Sequence, residues 1–135
     1  MPVRTMNLEP DFAQRRLLVV DDDHDLVDAL CEWVRLNSGW ATAGAYSPDD
    51  AIAQAGAVPP DAILLDMEMG AADGFDTAER LDRASGSRHP PLFALTGNPS
   101  LRDAAALDVR FAASMLKPAD LEALLRLLDG TTRAH

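Results

Sequence analysis

The stretch LLVVDDD at residues 17–23 decides the fold, because a short apolar run ends abruptly in three acidic residues. The same pattern recurs with other chemistry: AILLD at 62–66 ends in an acid, PLFALT at 91–96 in a hydroxyl, and AASMLKP at 112–118 in Lys-Pro. Short apolar runs of this kind are typical of strands buried on both faces of a sheet. If the strands are parallel, their ends meet at the sheet edge where open α/β proteins bind ligands.

Helical patterns separate these apolar runs. A helix is predicted from about Asp25 to Asn37, and Ser47 and Pro48 are typical of the cap and first residue of a second helix. A weaker strand is expected between them, and three further helices follow at about 74–84, 99–107 and 119–128. Five strands alternating with five helices predict a parallel sheet covered on both faces. The predicted domain spans 15–130, with a flexible leader at 1–14 and a C-terminal tail at 131–135.

The bulk properties narrow the class of protein. The length of 135 residues suits one domain, and the net charge of −10 argues against binding to nucleic acid or to an anionic membrane surface. Cys31 is the only cysteine, so no internal disulfide can form, and its place in an apolar helical stripe predicts a small buried core residue. The sequence shows no signal peptide or membrane span, which favours a cytoplasmic protein.

The strand-end residues suggest a cation site. Asp21 and Asp22 follow one buried strand and Asp66 follows another, and carboxylates that lie close together repel each other unless a cation sits among them. A few hard oxygen ligands that leave room for water suit Mg²⁺. For Asp23, a helix-capping role is the better interpretation.

The other two strand ends supply a hydroxyl and a cation. Thr96 could donate to a phosphoryl oxygen or cap the turn that follows it, and Lys117 could reach an oxyanion. Pro118 would fix the loop after the lysine, and a cis Lys117–Pro118 bond would aim the ammonium. Taken singly, neither Thr96 nor Lys117 is decisive.

In order and spacing these residues resemble the response regulator receiver domain, and the chain looks like a single-domain receiver of the chemotaxis-regulator kind. Asp66 follows Asp21 by 45 residues, Thr96 follows Asp66 by 30, and Lys117 follows Thr96 by 21, which resembles the spacing of the family. The loop after Asp66 also matches the family pattern, at Met69, Asp73 and Gly74. The resemblance covers about residues 15–129 and implies a flavodoxin-like, doubly wound (βα)5 three-layer sandwich with a parallel sheet in the order 2-1-3-4-5.

The resemblance also implies a role for each site residue. Asp66 would accept a phosphoryl group from a phosphohistidine on a histidine kinase or a histidine phosphotransfer protein. Mg²⁺ would be held by Asp22, by Asp66 and by the backbone carbonyl of Glu68, with Asp21 acting through water. Lys117 would neutralise phosphoryl charge, and Thr96 would reorient to hydrogen-bond the product. The side chain of Glu68, together with Asn98, would tune the lifetime of the phosphoryl group. The sequence leaves open whether this lifetime is lengthened or shortened.

Three positions depart from the family pattern. Ser114 stands where an aromatic residue often swings inward, so the usual coupling between the threonine and that ring is expected to be altered. Gly70 replaces a common proline and adds backbone freedom, and Ala119 stands where a bulky residue is frequent.

The implied function is phosphorelay signalling through protein contacts rather than turnover of small substrates. The phosphodonor would dock near the first helix and the loop after Pro118. The downstream protein target would contact the fourth helix, fifth strand and fifth helix, and a dimer is possible. Candidate residues on this output face are Leu101, Arg102, Ala105 and Arg126.

Two alternatives stay open. A degenerate receiver would bind partners without being phosphorylated, which Ser114 allows. An aspartyl-phosphate hydrolase of small metabolites would use a second acid at the spacing of Glu68, but its nucleophile normally lies on the first strand.

Overall fold

The computed structural model describes residues 14–131, so the predicted leader and tail lie almost entirely outside the described residues. The larger sheet contains β1 (Arg16–Val20), β2 (Ala41–Ala45), β3 (Ala62–Asp66), β4 (Leu92–Thr96) and β5 (Phe111–Leu116). The helices are α1 (His24–Asn37), α2 (Pro48–Ala57), α3 (Gly74–Ala84), α4 (Pro99–Ala106) and α5 (Leu121–Asp129). A short 3₁₀ turn, Gly86–Arg88, follows α3.

All five strands of the larger sheet are parallel, in the order β2-β1-β3-β4-β5. This confirms the predicted doubly wound architecture and its strand order. The order reverses direction at β1 and β3, and the crevice outside their carboxyl ends is the expected ligand position in such a sheet. Asp21 and Asp66 lie at these two strand ends.

Alternating side chains of the central strands build two cores, one on each face of the sheet. Leu17, Val19 and Leu64 pack with residues of α1 and α5 on one face. Leu18, Val20 and Ile63 pack with residues of α2, α3 and α4 on the other. The protein is therefore a three-layer sandwich, and burial on both faces explains why the strands carry so few polar residues before their ends.

Each of the five helices begins at a side chain that accepts a backbone N–H of its first turn. These N-caps are Asp23, Ser47, Asp73, Asn98 and Asp120. The predicted roles of Asp23, Ser47 and Pro48 agree with the structure. The final helix begins at Leu121, two residues later than predicted, because Asp120 is its cap.

The segment after β3, predicted as a plain turn, contains a two-stranded antiparallel ribbon. Glu68–Met69 pairs with Ala72–Asp73, and Gly70 between them has a φ of 58°, a conformation that favours glycine. Gly74 then lies so close to Met67 that an added Cβ would approach the Met67 Cα to 2.8 Å. The ribbon and this close contact fix the course of the chain directly after Asp66.

Two side chains are placed differently from the sequence prediction. Ala105 is fully buried in the core beneath α4, so its assignment to an output surface was wrong. Cys31 is only partly buried, because it lies at the margin of the apolar stripe of α1. Within residues 14–131, no helix combines the length and the apolar character needed to cross a membrane.

Candidate functional site

The carboxyl ends of β1, β3, β4 and β5 bring the predicted residues to one edge of the sheet. Asp21, Asp66 and Thr96 are all nearly inaccessible to solvent, with exposed fractions of 2%, 2% and 0%. Asp66 is paired in register with Leu95, and Thr96 is paired with Leu116, the residue before Lys117. Asp22 is exposed at the rim of the same edge. The sheet register therefore fixes which strand-end side chains meet.

Lys117 bridges the two buried acids. Its Nζ lies 3.0 Å from Asp21 Oδ2 and 3.4 Å from Asp66 Oδ1. Backbone groups also donate to both acids: the N–H of Asp23 donates to Asp21 Oδ1 at 3.0 Å, and the N–H of Glu68 donates to Asp66 Oδ1 at 3.1 Å. The ammonium thus lies where it can neutralise negative charge on or beside Asp66.

The charges of the site shift the acidity of its members. Burial, aided by the charge of Asp21, raises the pKa of Asp66 from 3.8 to about 6, although the Glu68 N–H and the Lys117 ammonium oppose this. Burial acts to lower the pKa of Lys117, but the hydrogen bond to Asp21 and the charge of Asp66 outweigh it and raise that pKa. Lys117 is therefore charged at neutral pH, whereas an ionised Asp66 is held at a cost in stability.

The acidic residues offer a place for a divalent cation. One carboxylate oxygen from each of Asp21, Asp22 and Asp66 can be chosen so that all three lie within 4.8 Å of one another. Among residues 14–131, the buried Asp66 Oδ2 has no hydrogen-bond partner, and the buried Asp21 Oδ2 is contacted by the Lys117 ammonium alone. A buried anionic oxygen without a hydrogen bond fits a hard oxygen-binding cation such as Mg²⁺.

The Thr96 hydroxyl already takes part in two hydrogen bonds. Its Oγ1 donates to Glu68 Oε1 at 2.7 Å and accepts the backbone N–H of Asn98 at 3.1 Å. Glu68 Oε1 also accepts the backbone N–H of Gly97 at 3.2 Å. The Asn98 side chain is occupied as the cap of α4, where Oδ1 accepts the N–H of Ser100. The turn-capping alternative for Thr96 is therefore present alongside the contact with Glu68.

The loop after β5 and the position of the missing aromatic residue are both well defined. The Lys117–Pro118 peptide bond is cis. Ser114 donates a hydrogen bond of 2.9 Å from its Oγ to the backbone carbonyl of Arg102, and this links β5 to α4. His24, next to the acidic turn, stacks its ring on Tyr46 at a centroid distance of 3.9 Å.

An apolar groove of about 570 Å³ opens beside the lysine, and sequence reasoning did not identify it as such. It lies between α1 and the start of α5. Its lining residues are Leu26, Ala29, Leu30, Trp33, Leu95, Lys117, Pro118, Ala119 and Leu121. The signal in the sequence was that the apolar residues of α1 are more numerous than one core-facing stripe requires.

Fold and site together define an α/β domain whose carboxyl edge presents an acidic cluster beside a lysine. Residues 17–129 match the family model described as the response regulator receiver domain. The chain therefore belongs to the response regulator receiver domain family. Receiver domains are signalling modules that are phosphorylated by histidine kinases and bind Mg²⁺ at an acidic pocket.

Curated relatives support the same family. The chain is 34% identical over 124 residues to the transcriptional regulatory protein TrcR of Mycobacterium tuberculosis, which covers 91% of this chain and 47% of that protein. It is 33% identical over 132 residues to the transcriptional regulatory protein PrrA of Mycobacterium leprae, covering 92% of this chain and 55% of the relative. The chain thus spans about half the length of these relatives.

Solved structures show the same fold at lower sequence identity. A CheY-like receiver domain protein of Methanospirillum hungatei matches with a TM-score of 0.75 at 20% identity, covering 86% of this chain and 91% of that one. The response regulator TrrA of Thermotoga maritima, solved in complex with Mg²⁺ and BeF, matches with a TM-score of 0.73 at 20% identity. That match covers 86% of this chain and 97% of the other.

The cost of ionising Asp66 leads to a stability prediction. In metal-free buffer at pH 7.5, we expect Asp66→Asn to raise the free energy of unfolding by about 1–3 kcal/mol, because a neutral amide removes a buried charge whose pKa is raised. The sign follows from the direction of the shift: a carboxyl with a folded pKa above its unfolded value destabilises the fold once it ionises. Urea unfolding followed by circular dichroism measures the change.

A second buried aspartate provides the matched control. Asp61 is 7% exposed, and its two oxygens accept Arg88 Nη1 at 2.6 Å and the Arg16 N–H at 2.9 Å. Asp61→Asn should lower the free energy of unfolding, because it weakens a satisfied ion pair. Loss of stability in Asp66→Asn as large as in Asp61→Asn would contradict the prediction.

Proposed function

We propose that this chain is a phosphorylatable receiver whose Asp66 accepts a phosphoryl group from a phosphohistidine partner in a Mg²⁺-dependent reaction. The observation that carries the proposal is the position of Lys117, whose Nζ lies 3.4 Å from Asp66 and 3.0 Å from Asp21 at the carboxyl edge of the sheet. A degenerate receiver has no need to keep a charged lysine beside two buried acids, since that arrangement costs desolvation.

The proposed transfer makes one bond and breaks one. A carboxylate oxygen of Asp66 bonds to phosphorus while the P–N bond of the phosphohistidine breaks, and its electron pair stays on the imidazole nitrogen. The protein supplies position and charge neutralisation, which phosphoryl transfer requires more than covalent help. Lys117 neutralises the oxygens of the arriving group, and Thr96 hydrogen-bonds the product once its hydroxyl is free.

The residues that would hold Mg²⁺ are Asp22, Asp66 and the backbone carbonyl of Glu68, with Asp21 acting through water. A bound cation would offset the repulsion among the carboxylates and the extra charge of about −1.5 to −2 that a phosphoryl group brings. The buried Asp66 Oδ2, which has neither a hydrogen bond nor an ion pair among residues 14–131, supports this assignment.

The apolar groove beside Lys117 is the proposed docking site of the phosphodonor. One wall belongs to α1 and the other to the loop after Pro118, and the groove extends to the lysine that contacts Asp66. A donor helix laid along it would bring its phosphohistidine to the acceptor. An amphipathic helix fits such a groove because its apolar face would cover the partly exposed side chains of Leu26, Trp33 and Leu121.

The output side of the proposal rests on α4, β5 and α5. Leu101, Arg102 and Arg126 remain candidates for contact with a downstream protein or a second copy, whereas Ala105 is excluded by burial. Ser114 and Pro118 remain proposed positions of conformational change, and Ser114 gains a physical link through its bond to Arg102. A cytoplasmic location stays a prediction.

Labelling tests the acceptor. We expect acetyl phosphate with Mg²⁺ to add 80 Da to the wild-type chain, and we expect Asp66→Asn to show no such adduct, because the amide cannot act as the nucleophile. Intact-protein mass spectrometry measures the adduct. The exposed Asp129 offers a control, and Asp129→Asn should be labelled like wild type. Undiminished labelling of Asp66→Asn would refute the acceptor assignment, and an unlabelled wild type would favour the degenerate receiver.

Metal binding is tested at Asp22. We expect Mg²⁺ to raise the melting temperature of the wild type, because a ligand of the folded state stabilises it, and we expect Asp22→Ala to lose this response. Differential scanning calorimetry over a MgCl₂ titration measures the shift. Asp23→Ala is the adjacent control, since Asp23 uses its carboxylate to cap α1. It should lower the starting stability by about 1 kcal/mol but keep the Mg²⁺ response. An equal response in Asp22→Ala would count against the ligand set.

Donor docking is tested at the exposed Ala29 on the groove wall. We expect Ala29→Arg to slow phosphotransfer from a phosphorylated histidine kinase by at least about tenfold, because a charged side chain then obstructs the apolar contact. Labelling by acetyl phosphate should be unchanged, since a small donor needs no groove. The exposed Ala53 on α2 provides a matched control, Ala53→Arg. Equal slowing in both variants would remove the groove from the proposal.

A further inference from the structure

The carboxylate of Glu68 occupies two hydrogen-bond donors at the end of β4. Glu68 Oε1 accepts from the Thr96 hydroxyl at 2.7 Å and from the backbone N–H of Gly97 at 3.2 Å. Both distances fall within the normal range for hydrogen bonds, and bonds to an ionised acceptor are stronger than neutral ones. The anionic side chain therefore takes up donors that an anion arriving at this edge of the sheet would need.

The same residue also contacts the acceptor. The backbone N–H of Glu68 donates to Asp66 Oδ1 at 3.1 Å, while its side chain reaches Thr96 on the neighbouring strand. Asp66 and Thr96 end adjacent strands, so a phosphoryl group on Asp66 would face the hydroxyl that Glu68 now binds. Such a group carries three strong acceptor oxygens and a charge of the same sign as a carboxylate.

We propose that Glu68 is an internal competitor for the phosphoryl group, holding the Thr96 hydroxyl and the Gly97 amide until a phosphoryl oxygen displaces it. This inference rests on the proposed function, because it concerns a phosphorylated Asp66. In the exchange no covalent bond changes. Two hydrogen bonds to Glu68 Oε1 are lost, the phosphoryl oxygens gain those two donors, and the carboxylate turns into water.

The displacement is physically accessible because Glu68 is already exposed, so its release demands little change in solvation. The competition lowers the affinity of the site for any phosphoryl-like anion. It also sets the direction in which Glu68 acts: removal of its side chain should increase the affinity for the anion, because Thr96 and Gly97 are then free to bind it.

A simpler effect must be separated from this one, namely repulsion between the Glu68 charge and the arriving anion. Repulsion depends on the charge alone, whereas competition depends on an acceptor oxygen at the donors. Glu68→Gln removes the charge but keeps an acceptor oxygen, and Glu68→Ala removes both. Repulsion alone therefore predicts the same gain in anion affinity for both variants, whereas competition predicts a larger gain for Glu68→Ala than for Glu68→Gln.

The test measures the apparent dissociation constant of beryllofluoride, a phosphoryl mimic, in saturating Mg²⁺. We expect Glu68→Ala to bind at least about tenfold more tightly than wild type, since two charge-assisted bonds no longer oppose binding. Glu68→Gln should gain only about threefold, because a neutral amide oxygen is a weaker competitor. Equal gains in both variants, or no gain in Glu68→Ala, would overturn the proposal.

A double-mutant cycle assigns the effect to the donors. In a Thr96→Ala background one of the two bonds to Glu68 is already gone, so the gain from Glu68→Ala should fall to about half its wild-type value on a logarithmic scale. An undiminished gain would show that Glu68 acts on the anion and not through Thr96, and would overturn the proposal.

A readout that involves no phosphoryl chemistry separates failure of this inference from failure of the proposed function. In the metal-free, unmodified protein, Glu68→Ala should move the amide proton resonance of Gly97 upfield, because its hydrogen bond is lost. Glu79→Ala removes the same charge from an exposed position on α3 and should leave that resonance in place. An unchanged Gly97 resonance in Glu68→Ala would overturn the inference even if Asp66 is labelled normally. If Asp66→Asn were labelled fully, the proposed function would fail whatever the resonance shows.

Discussion

The repulsion between two buried carboxylates, and its partial relief by one lysine, is the constraint on which the site depends. Asp21 and Asp66 are each 2% exposed, and Lys117 reaches both. The four adjacent strands β1, β3, β4 and β5 have to be in register for these groups to meet, so the sheet holds an arrangement that the side chains alone would not adopt. The raised pKa of Asp66 is the measure of that cost. A cation bound at this edge of the sheet would lower the free-energy cost of ionising Asp66, so the repulsion between the carboxylates favours cation binding there.

Much of this arrangement could be predicted from the sequence, because its cause is local. Apolar runs such as 62–65 mark strands buried on both faces, and the residue that ends each run has to lie at the sheet edge. Parallel alternation with helices then brings Asp66, Thr96 and Lys117 together without any information about distant contacts. The capping residues Asp23 and Ser47 were recognisable for the same reason, since a cap depends only on the next three residues.

What the sequence could not supply are contacts that depend on the direction of a side chain or on the backbone. The contact between Glu68 and Thr96 depends on the ribbon after β3. Each strand of this ribbon has only two residues, too few to show the alternating pattern by which a strand is predicted from sequence. The Gly97 donor is a backbone group and has no side-chain signal. Ala105 was wrongly assigned to a surface because alanine occupies either face of a short helix, and only the packing of α4 on the sheet shows that it is buried.

The ribbon also determines how fast the edge of the sheet can respond. Glu68 is paired in the ribbon with Asp73, which is the N-cap of α3. These contacts fix the backbone of Glu68 but leave its side chain free to rotate. Freeing Thr96 and Gly97 consequently requires only torsions within one exposed side chain, which rotate in picoseconds to nanoseconds. Loop and domain rearrangements take microseconds or longer. The exchange of donors proposed above would therefore be fast compared with any loop or domain rearrangement, and it would behave as a rapid equilibrium.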